Sequence, residues 1–375
     1  MRKIVFPGIA MIGVTYALAR YSYGLLLPYI SHSLSFSESY AGVPGFFAYA
    51  AYCISLTLAP LIIQRAKAYN TIQLAGLSAI VGMLGIVFSR GLITLSICTF
   101  IAGFASGLSS PAYGQVVIDN LPKEKQDRAN TWINTGTSFG LILSGPIVLL
   151  FAKQWRVTYL FFAMIGMLVL FWNRRNIPRS QQPIDVVCFR KKIGAVSWKK
   201  VMMLSLAALI TGISASVYWV FSRSFLTAVY DISALDSSLF WLIMGISGIV
   251  GGIAGSIIEK FGLTASYRGS LLIMIISLCL ITIPSSISIY GSAFFFGVTF
   301  IFLTGLFIVW GINLFAQAPS FGVSLAFLLL GIGQSVGSLF AGIIIEKNSY
   351  PFAFLLYAGI GLCGLLLKGH FPAEK

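Results

Sequence analysis

The sequence predicts an all-α membrane protein with twelve transmembrane helices arranged as two pseudo-symmetric six-helix bundles. Hydrophobic residues make up 58% of the 375 residues and charged residues only 9%, whereas about 25% of the residues of a soluble domain are charged. The apolar residues fall into twelve runs, each near the ~20 residues that a helix needs to cross a bilayer. Motifs of the first six runs also recur, in order, in the last six.

The twelve runs and the stretch between the sixth and the seventh define the domain organisation. The runs cover residues 4–30, 42–64, 70–89, 92–118, 130–152, 157–173, 201–229, 237–258, 268–287, 290–316, 321–345 and 350–368. No small-residue cleavage site follows the first run, so we expect it to be retained. The least apolar stretch divides the chain into an N-terminal bundle (1–176), a cytoplasmic linker (177–199) and a C-terminal bundle (200–375).

The net charge of +15 is explained by where the basic residues lie. With the N-terminus inside, most lysines and arginines fall on cytoplasmic segments, as the positive-inside rule requires. We therefore expect a multi-pass protein of the cytoplasmic membrane with both termini cytoplasmic. Because membrane topology accounts for the basic residues, the net charge does not indicate nucleic acid as a partner.

Three motifs recur at nearly equal offsets. The pairs are 60–65 with 255–262, 136–146 with 333–342, and 162–166 with 357–361. Six spans, a cytoplasmic loop and six more spans give both copies the same orientation. This parallel repeat is typical of secondary transporters, in which two bundles rock about a site near the middle of the membrane.

One of these motifs carries a family resemblance. Its residues are Gly255, Glu259, Lys260 and Gly262. They resemble the Gly-x-x-x-Asp-Arg-x-Gly loop of the major facilitator superfamily, with Glu for Asp and Lys for Arg. In the first half Gln64 replaces the acid, Arg65 follows it, and no glycine closes the loop. The resemblance extends over essentially the whole chain and implies a transporter that works by alternating access, with these loop residues in a cytoplasmic gate.

The fifth run adds a second resemblance. Ser144, Gly145 and Pro146 resemble the Gly-Pro motif of the efflux branches, which favours export, and 19–28 resemble the bacterial branch exemplified by YbfB. Small residues let helices approach and slide. We therefore assign Gly136, Gly140, Gly145 and Pro146 to conformational hinging or to close packing between the halves.

Arg20 is the first candidate for substrate binding, because it lies well inside the first apolar run. A central arginine costs a membrane helix roughly 2.5–3.5 kcal/mol, so one that is kept there usually faces a cavity. Tyr16 and Tyr23 share its helix face. The alternative is an interhelical hydrogen bond to carbonyls or to a tyrosine.

Arg223 forms a second stripe of this kind with Trp219 in the seventh run. It lies closer to the outer end of its helix. It can therefore snorkel, pair with Asp231 or Asp236 in an external gate, or contact the substrate. Polar faces of the fourth and tenth runs add Tyr113, Trp310 and Asn313 as candidates, with helix packing as the alternative for each.

The acidic residues are informative because all ten fall at helix ends, in loops or on tails. A carrier of cations usually needs a carboxylate inside the membrane, to attract the cation and to carry a proton. A cavity whose formal charge is only positive favours an anion, which arginine binds through two parallel hydrogen bonds. A zwitterion, a dicarboxylate or a carboxylate-rich metallophore of the opine type fits this pattern.

The leading hypothesis is therefore an exporter of a small anionic or zwitterionic molecule. Alternatives are an uptake or exchange carrier for a small carboxylate, and a membrane sensor derived from a transporter. No Gly-x-x-x-x-Gly-Lys-Ser/Thr loop is present, so ATP does not drive it directly. A proton can travel on the substrate, on Asp119 or on Glu346, or take no part. No catalytic residue, metal site or cofactor is indicated, and we expect a monomer.

Overall fold

The computed structural model describes residues 1–151, 154–179, 197–251, 254–315 and 319–367, and within these ranges it consists of helices without strands. The helices are α1 (Arg2–Ile12), α2 (Ser22–Leu34), α3 (Glu38–Phe88), α4 (Leu92–Asn120), α5 (Lys123–Asn134), α6 (Gly136–Phe151), α7 (Trp155–Asn176), α8 (Trp198–Tyr230), α9 (Ala234–Val250), α10 (Ala254–Phe261), α11 (Leu263–Leu280), α12 (Ser286–Leu314), α13 (Pro319–Lys347) and α14 (Tyr350–Gly364). A π-helical segment, Gly13–Tyr21, joins α1 to α2.

Nine helices of the described ranges are long and apolar enough to cross a membrane. One of them, α3, has 51 residues and leaves helical geometry at Lys67, so it is long enough for two crossings of ~20 residues. The shorter apolar helices α9 and α14 add 17 and 15 residues. The protein is thus a helical multi-pass membrane protein, and the count of twelve spans remains a prediction. Most of the predicted linker 177–199 lies outside the described residues.

The repeated glycines make equivalent contacts in the two halves. A Cβ at Gly136 would overlap the carbonyl oxygen of Ile9, and a Cβ at Gly333 would overlap that of Leu209. One turn later, Gly140 packs on the π segment and Gly337 packs on α8. Helix α6 therefore crosses the first span as α13 crosses α8, and small residues permit both crossings.

The two halves meet at the end of the bundle opposite Arg2, which we call the closed end. Backbones of α2 and α8 touch there, since a Cβ at Gly24 would overlap the carbonyl oxygen of Trp219. Helices α3 and α13 are equally close, and Ser335 Oγ donates to the carbonyl of Phe46 at 3.0 Å. At the outermost turn, the backbone N–H of Ser39 donates to Glu346 Oε2 at 2.7 Å.

At the other end, the packing that the structure describes runs mainly within each half. Helices α4 and α5 pack against α1, whereas α10 packs against α11 and α12. The halves thus form a bundle that is joined at the closed end.

Candidate functional site

Arg20 lies at the end of the π segment with only 5% of its surface exposed. Its Nη1 donates to Ser106 Oγ of α4 at 3.1 Å, and its Nη2 donates to the Tyr21 hydroxyl at 2.6 Å. A π-helical stretch is rare and often marks a functional site. The side chain therefore points into the protein and is held there by two hydrogen bonds.

Four tyrosine rings surround this guanidinium. Its central carbon lies 4.7 Å from the ring centre of Tyr16, 4.5 Å from that of Tyr21, 5.4 Å from that of Tyr49 and 4.5 Å from that of Tyr52. A cation within about 6 Å of an aromatic ring is attracted by its electron-rich face. We call Arg20 and these four rings the arginine cage.

The cage leaves the positive charge without a counter-charge. The hydrogen-bond partners of Arg20 are both neutral hydroxyls, and no carboxylate of the described residues contacts it. Its Nε is buried and has no hydrogen-bond partner. A buried charge with an unused donor is costly unless something pairs with it, so the cage is suited to receive an anionic group.

Arg223 has a different role in the structure, because it joins the two halves. From α8 its Nη1 donates to the carbonyl of Leu25 at 2.9 Å, and its Nη2 donates to the Tyr29 hydroxyl at 3.0 Å, both on α2. Pro28 lacks an N–H, so the carbonyl of Gly24, which precedes Leu25, has no i+4 donor in α2. The geometry is that of a contact between the halves without the aspartates of the predicted external gate, and substrate contact by Arg223 stays a prediction.

The acidic partners considered for Arg223 lie elsewhere. Asp236 accepts from the Ser233 hydroxyl at 2.6 Å and from the Tyr290 hydroxyl at 2.9 Å. Asp231 ends α8 in a left-handed conformation. Neither carboxylate is among the hydrogen-bond partners that the structure gives Arg223.

Comparison with known proteins identifies the family. A family model of the Major Facilitator Superfamily matches residues 9–322. The chain belongs to this superfamily. It is therefore a membrane transporter and not an enzyme.

Solved transporters of the superfamily share its fold at low sequence identity. A point mutant of the nucleoside transporter NupG is 14% identical, with a TM-score of 0.79 over 96% of this chain and 98% of NupG. A D-xylose–proton symporter is 14% identical, with a TM-score of 0.77 over 98% of this chain and 97% of the symporter. The human organic anion transporter MFSD10 is 13% identical, with a TM-score of 0.69 over 98% of this chain and 99% of MFSD10.

A curated relative aligns over a shorter segment. The sialic acid transporter NanX of Escherichia coli (strain K12) is 28% identical over 106 residues, which are 28% of this chain and 25% of NanX. The chain thus spans about a quarter of the length of this relative.

The remaining predicted substrate residues are dispersed through this superfamily fold. Tyr23 donates to the carbonyl of Ala41 at 2.6 Å, away from the cage. Tyr113 is buried and bonded to Asn173. Both side chains therefore connect helices of the first half.

The predicted residues of the second half are equally dispersed. Trp219 stacks on Tyr21 with ring centres 4.1 Å apart, so it adjoins the cage. Trp310 packs against Tyr267 and Phe307, and Asn313 is exposed near the end of α12. Of these three residues, Trp219 is the one that contacts the arginine cage, through Tyr21.

The predicted gate residues occupy matching positions before a break in the helical backbone, which lies within α3 at Lys67 and after α10 at Gly262. Gln64 and Arg65 are exposed before the break at Lys67, and Glu259 and Lys260 are exposed before Gly262. Gly255 lies in α10. The described residues show no ion pair between Glu259 and Lys260, so the predicted latch stays a prediction.

The two gate segments have similar backbone angles although their residue types differ. Lys67 has φ 67° and ψ 157°, and Gly262 has φ 78° and ψ 162°. The first-half segment therefore has nearly the same backbone conformation as its second-half counterpart, although a lysine stands where the second half has glycine.

The predicted hinge residues divide into two groups. Gly136 and Gly140 pack within the first half, against α1 and the π segment. Gly145 faces the second half, where a Cβ would lie 3.1 Å from the Ser238 carbonyl oxygen, and Pro146 is exposed on α6. Contact between the halves is thus observed for Gly145 but not for the other two glycines.

Sequence reasoning did not select three rings of the cage: Tyr21, Tyr49 and Tyr52. A signal was present, because Tyr49 and Tyr52 are three residues apart and so share a helix face. The described residues contain no group of three His, Cys, Asp or Glu side chains that could hold a metal ion.

Proposed function

We propose that the protein carries a small organic anion across the membrane by alternating access, with Arg20 as the residue that binds the anionic group. The observation that carries this proposal is the arginine cage: a buried guanidinium with neutral partners and an unused Nε donor. An arriving carboxylate supplies both the missing counter-charge and the missing acceptor. Charge-assisted hydrogen bonds of this kind are about twice as strong as neutral ones.

The cage favours a substrate with one anionic group and an uncharged body. Arg223 donates to the carbonyl of Leu25 and to Tyr29, so it is engaged in the contact between the halves. One guanidinium pairs with one carboxylate, which favours a monoanion over the dicarboxylate or metallophore that the sequence also allows. The alignment with a transporter named for sialic acid supports an acidic substrate.

The transport cycle follows from the packing of the two halves, for which we take 1–176 and 200–375. With both termini in the cytoplasm, the closed end is external and the structure is an inward-facing state. Tyr16, on the Arg2 side of Arg20, is half-buried, whereas the other three rings of the cage are buried. This difference supports entry of the anion from the cytoplasm.

Export is the direction that the Ser144–Gly145–Pro146 motif supports. Uptake or exchange of a carboxylate is the alternative. Both directions use the same site, so they differ only in which side loads the cage.

A metabolite comparison tests substrate and direction together. Cells that express the wild type, Arg20→Gln or no transporter are grown alike, and acidic metabolites are measured in cells and medium. We expect an acidic compound to leave the cells with the wild type and to be retained with Arg20→Gln. Transport of a neutral or cationic compound that Arg20→Gln leaves unchanged would overturn the anion proposal.

A further inference from the structure

Tyr21 touches both the arginine cage and the opposite half of the protein. Its hydroxyl accepts a hydrogen bond from Arg20 Nη2 at 2.6 Å. Its ring stacks on Trp219 of α8, with ring centres 4.1 Å apart and planes 20° apart. A single side chain of the first half therefore connects the guanidinium to the closed end.

Trp219 is the fixed member of this stacked pair. It is 2% exposed, and its ring packs against Trp241, Phe296 and Phe300, with ring centres 6.0, 5.4 and 5.1 Å away. Its carbonyl also lies at the point where α2 and α8 touch. A change in the contact must therefore come from the side of Tyr21.

We propose that Tyr21 is a positioning residue that couples the occupancy of Arg20 to the contact between the halves. In the empty carrier, the hydrogen bond from Arg20 holds the Tyr21 ring flat against Trp219 and so stabilises the closed end. An anion is a stronger acceptor than a phenol oxygen. It draws the guanidinium away from Tyr21, the ring loses its anchor, and the closed end is weakened.

This coupling rests on the proposed function and deepens it. A carrier whose closed end opens only after Arg20 is occupied avoids cycling empty. A ligand shifts such an equilibrium only through the difference in its affinity for the two states. Here the difference in affinity arises because the anion and the Tyr21 hydroxyl compete for the same donor, Nη2 of Arg20.

The test measures how often the closed end is open in the absence of ligand. Spin labels are placed at Tyr40→Cys and Asn348→Cys, two exposed positions on opposite halves at this end, in a background without the native cysteines. Distance distributions are recorded in nanodiscs for the parent protein, Arg20→Gln, Tyr21→Phe and the double variant. Tyr21→Phe keeps the stacking ring and removes only the hydroxyl.

We expect each single variant to raise the ratio of open to closed molecules about tenfold, as the loss of one hydrogen bond to a charged group implies. The double variant should add nothing to either single one, because both remove the same interaction. Tyr218→Phe is the matched control. It removes a buried hydroxyl from the same helix as Trp219, one bonded to Ser292 within the second half, and it should leave the ratio unchanged.

Two results overturn the coupling: an unchanged ratio in Tyr21→Phe, or additive effects in the double variant. The metabolite comparison separates this failure from failure of the proposed function. If Arg20→Gln abolishes transport while the two changes are additive, only the coupling is wrong. If Arg20→Gln transports normally while the changes are non-additive, the anion site is wrong and the coupling to occupancy falls with it, although the Arg20–Tyr21 hydrogen bond still stabilises the closed end.

Discussion

Arg20 stays in an apolar bundle because its neighbours replace part of the hydration that it loses. Two hydroxyls accept from its terminal nitrogens, and four aromatic faces lie within 5.4 Å of its central carbon. A cation over an aromatic face gains up to about 2 kcal/mol when it is desolvated. These interactions stabilise the charge without cancelling it, which leaves the charge available to an anion.

Lysine at this position should retain attraction for an anion but lose its geometry. An ammonium group cannot donate in one plane to Ser106, Tyr21 and a ligand as a guanidinium does. We expect Arg20→Lys to raise the KM for the transported anion about tenfold, the equivalent of one lost hydrogen bond, with kcat changed much less. Initial rates in proteoliposomes measure both constants, and wild-type kinetics in Arg20→Lys would argue against a role for the planar fork.

What the sequence could predict at this scale was an arginine kept inside a membrane span. The partners of Arg20 were harder to predict, because Tyr49 and Ser106 lie on other helices. The residues on one face of a helix do not show which neighbouring helix packs against that face. For Arg223 one of the two partners is the backbone carbonyl of Leu25. Every residue carries such a carbonyl, so no pattern of side chains predicts this contact.

At the scale of elements, the break within α3 at Lys67 and the loop after α10 at Gly262 have similar backbones despite different residue types. The first-half loop lacks glycine, yet Lys67 adopts nearly the backbone angles of Gly262. Residues other than glycine rarely occupy this region, and doing so costs on the order of 1–3 kcal/mol. The surrounding helices therefore impose the loop conformation, and sequence periodicity contains no information about φ.

Replacing Lys67 by glycine should stabilise the protein. The substitution removes the strain and so stabilises the folded state. Glycine has more conformational freedom in the unfolded chain, which offsets roughly 0.5–1 kcal/mol of this stabilisation. We expect Lys67→Gly to raise the unfolding temperature in detergent and the matched variant Lys67→Ala, which keeps a Cβ, to leave it unchanged. Equal unfolding temperatures for all three proteins would show that the loop is not strained.

The crossing of α2 and α8 depends on a missing side chain. Since a Cβ at Gly24 would overlap the Trp219 carbonyl oxygen, Gly24→Ala should push the two helices apart and weaken the closed end. Ser335 is buried between the halves, so a cysteine at this position becomes accessible to a reagent only when the closed end opens. We expect a membrane-impermeant maleimide to modify Ser335→Cys at least several-fold faster when Gly24→Ala is present.

Gly359→Ala provides the control for this prediction. Gly359 lies in α14 and has no neighbouring atom within 4 Å of an added Cβ, so its substitution should leave the labelling rate unchanged. If Gly24→Ala labels no faster than Gly359→Ala, the close approach of α2 and α8 does not stabilise the closed end.

At the scale of the whole molecule, composition and repeated motifs were sufficient to predict a helical transporter, and the resemblance of the 255–262 loop to a known motif added the superfamily. They could not predict which end of the bundle is closed, because a carrier adopts both arrangements with one sequence. The closed end becomes visible only through contacts between distant residues, such as Ser335 with Phe46. Its opening is what alternating access requires.

A reversible cross-link tests that requirement. A Cβ added at Gly45 would lie 3.4 Å from the Cβ of Ser338, close to the ~3.8 Å typical of a disulfide. In a background without native cysteines, we expect oxidised Gly45→Cys/Ser338→Cys to lose transport and to regain it on reduction. Each single variant should transport under both conditions, and full activity with the disulfide formed would exclude opening at this end as a step of the cycle.

The most direct test of the arginine cage compares the transported acid with its own amide. The amide keeps the shape of the acid and removes the charge, so the difference in Kd measures what Arg20 contributes. We predict that the wild type binds the acid at least about tenfold more tightly than the amide, and that Arg20→Gln binds the two equally. Equal binding by the wild type, or a preference for the acid that survives Arg20→Gln, would contradict the account.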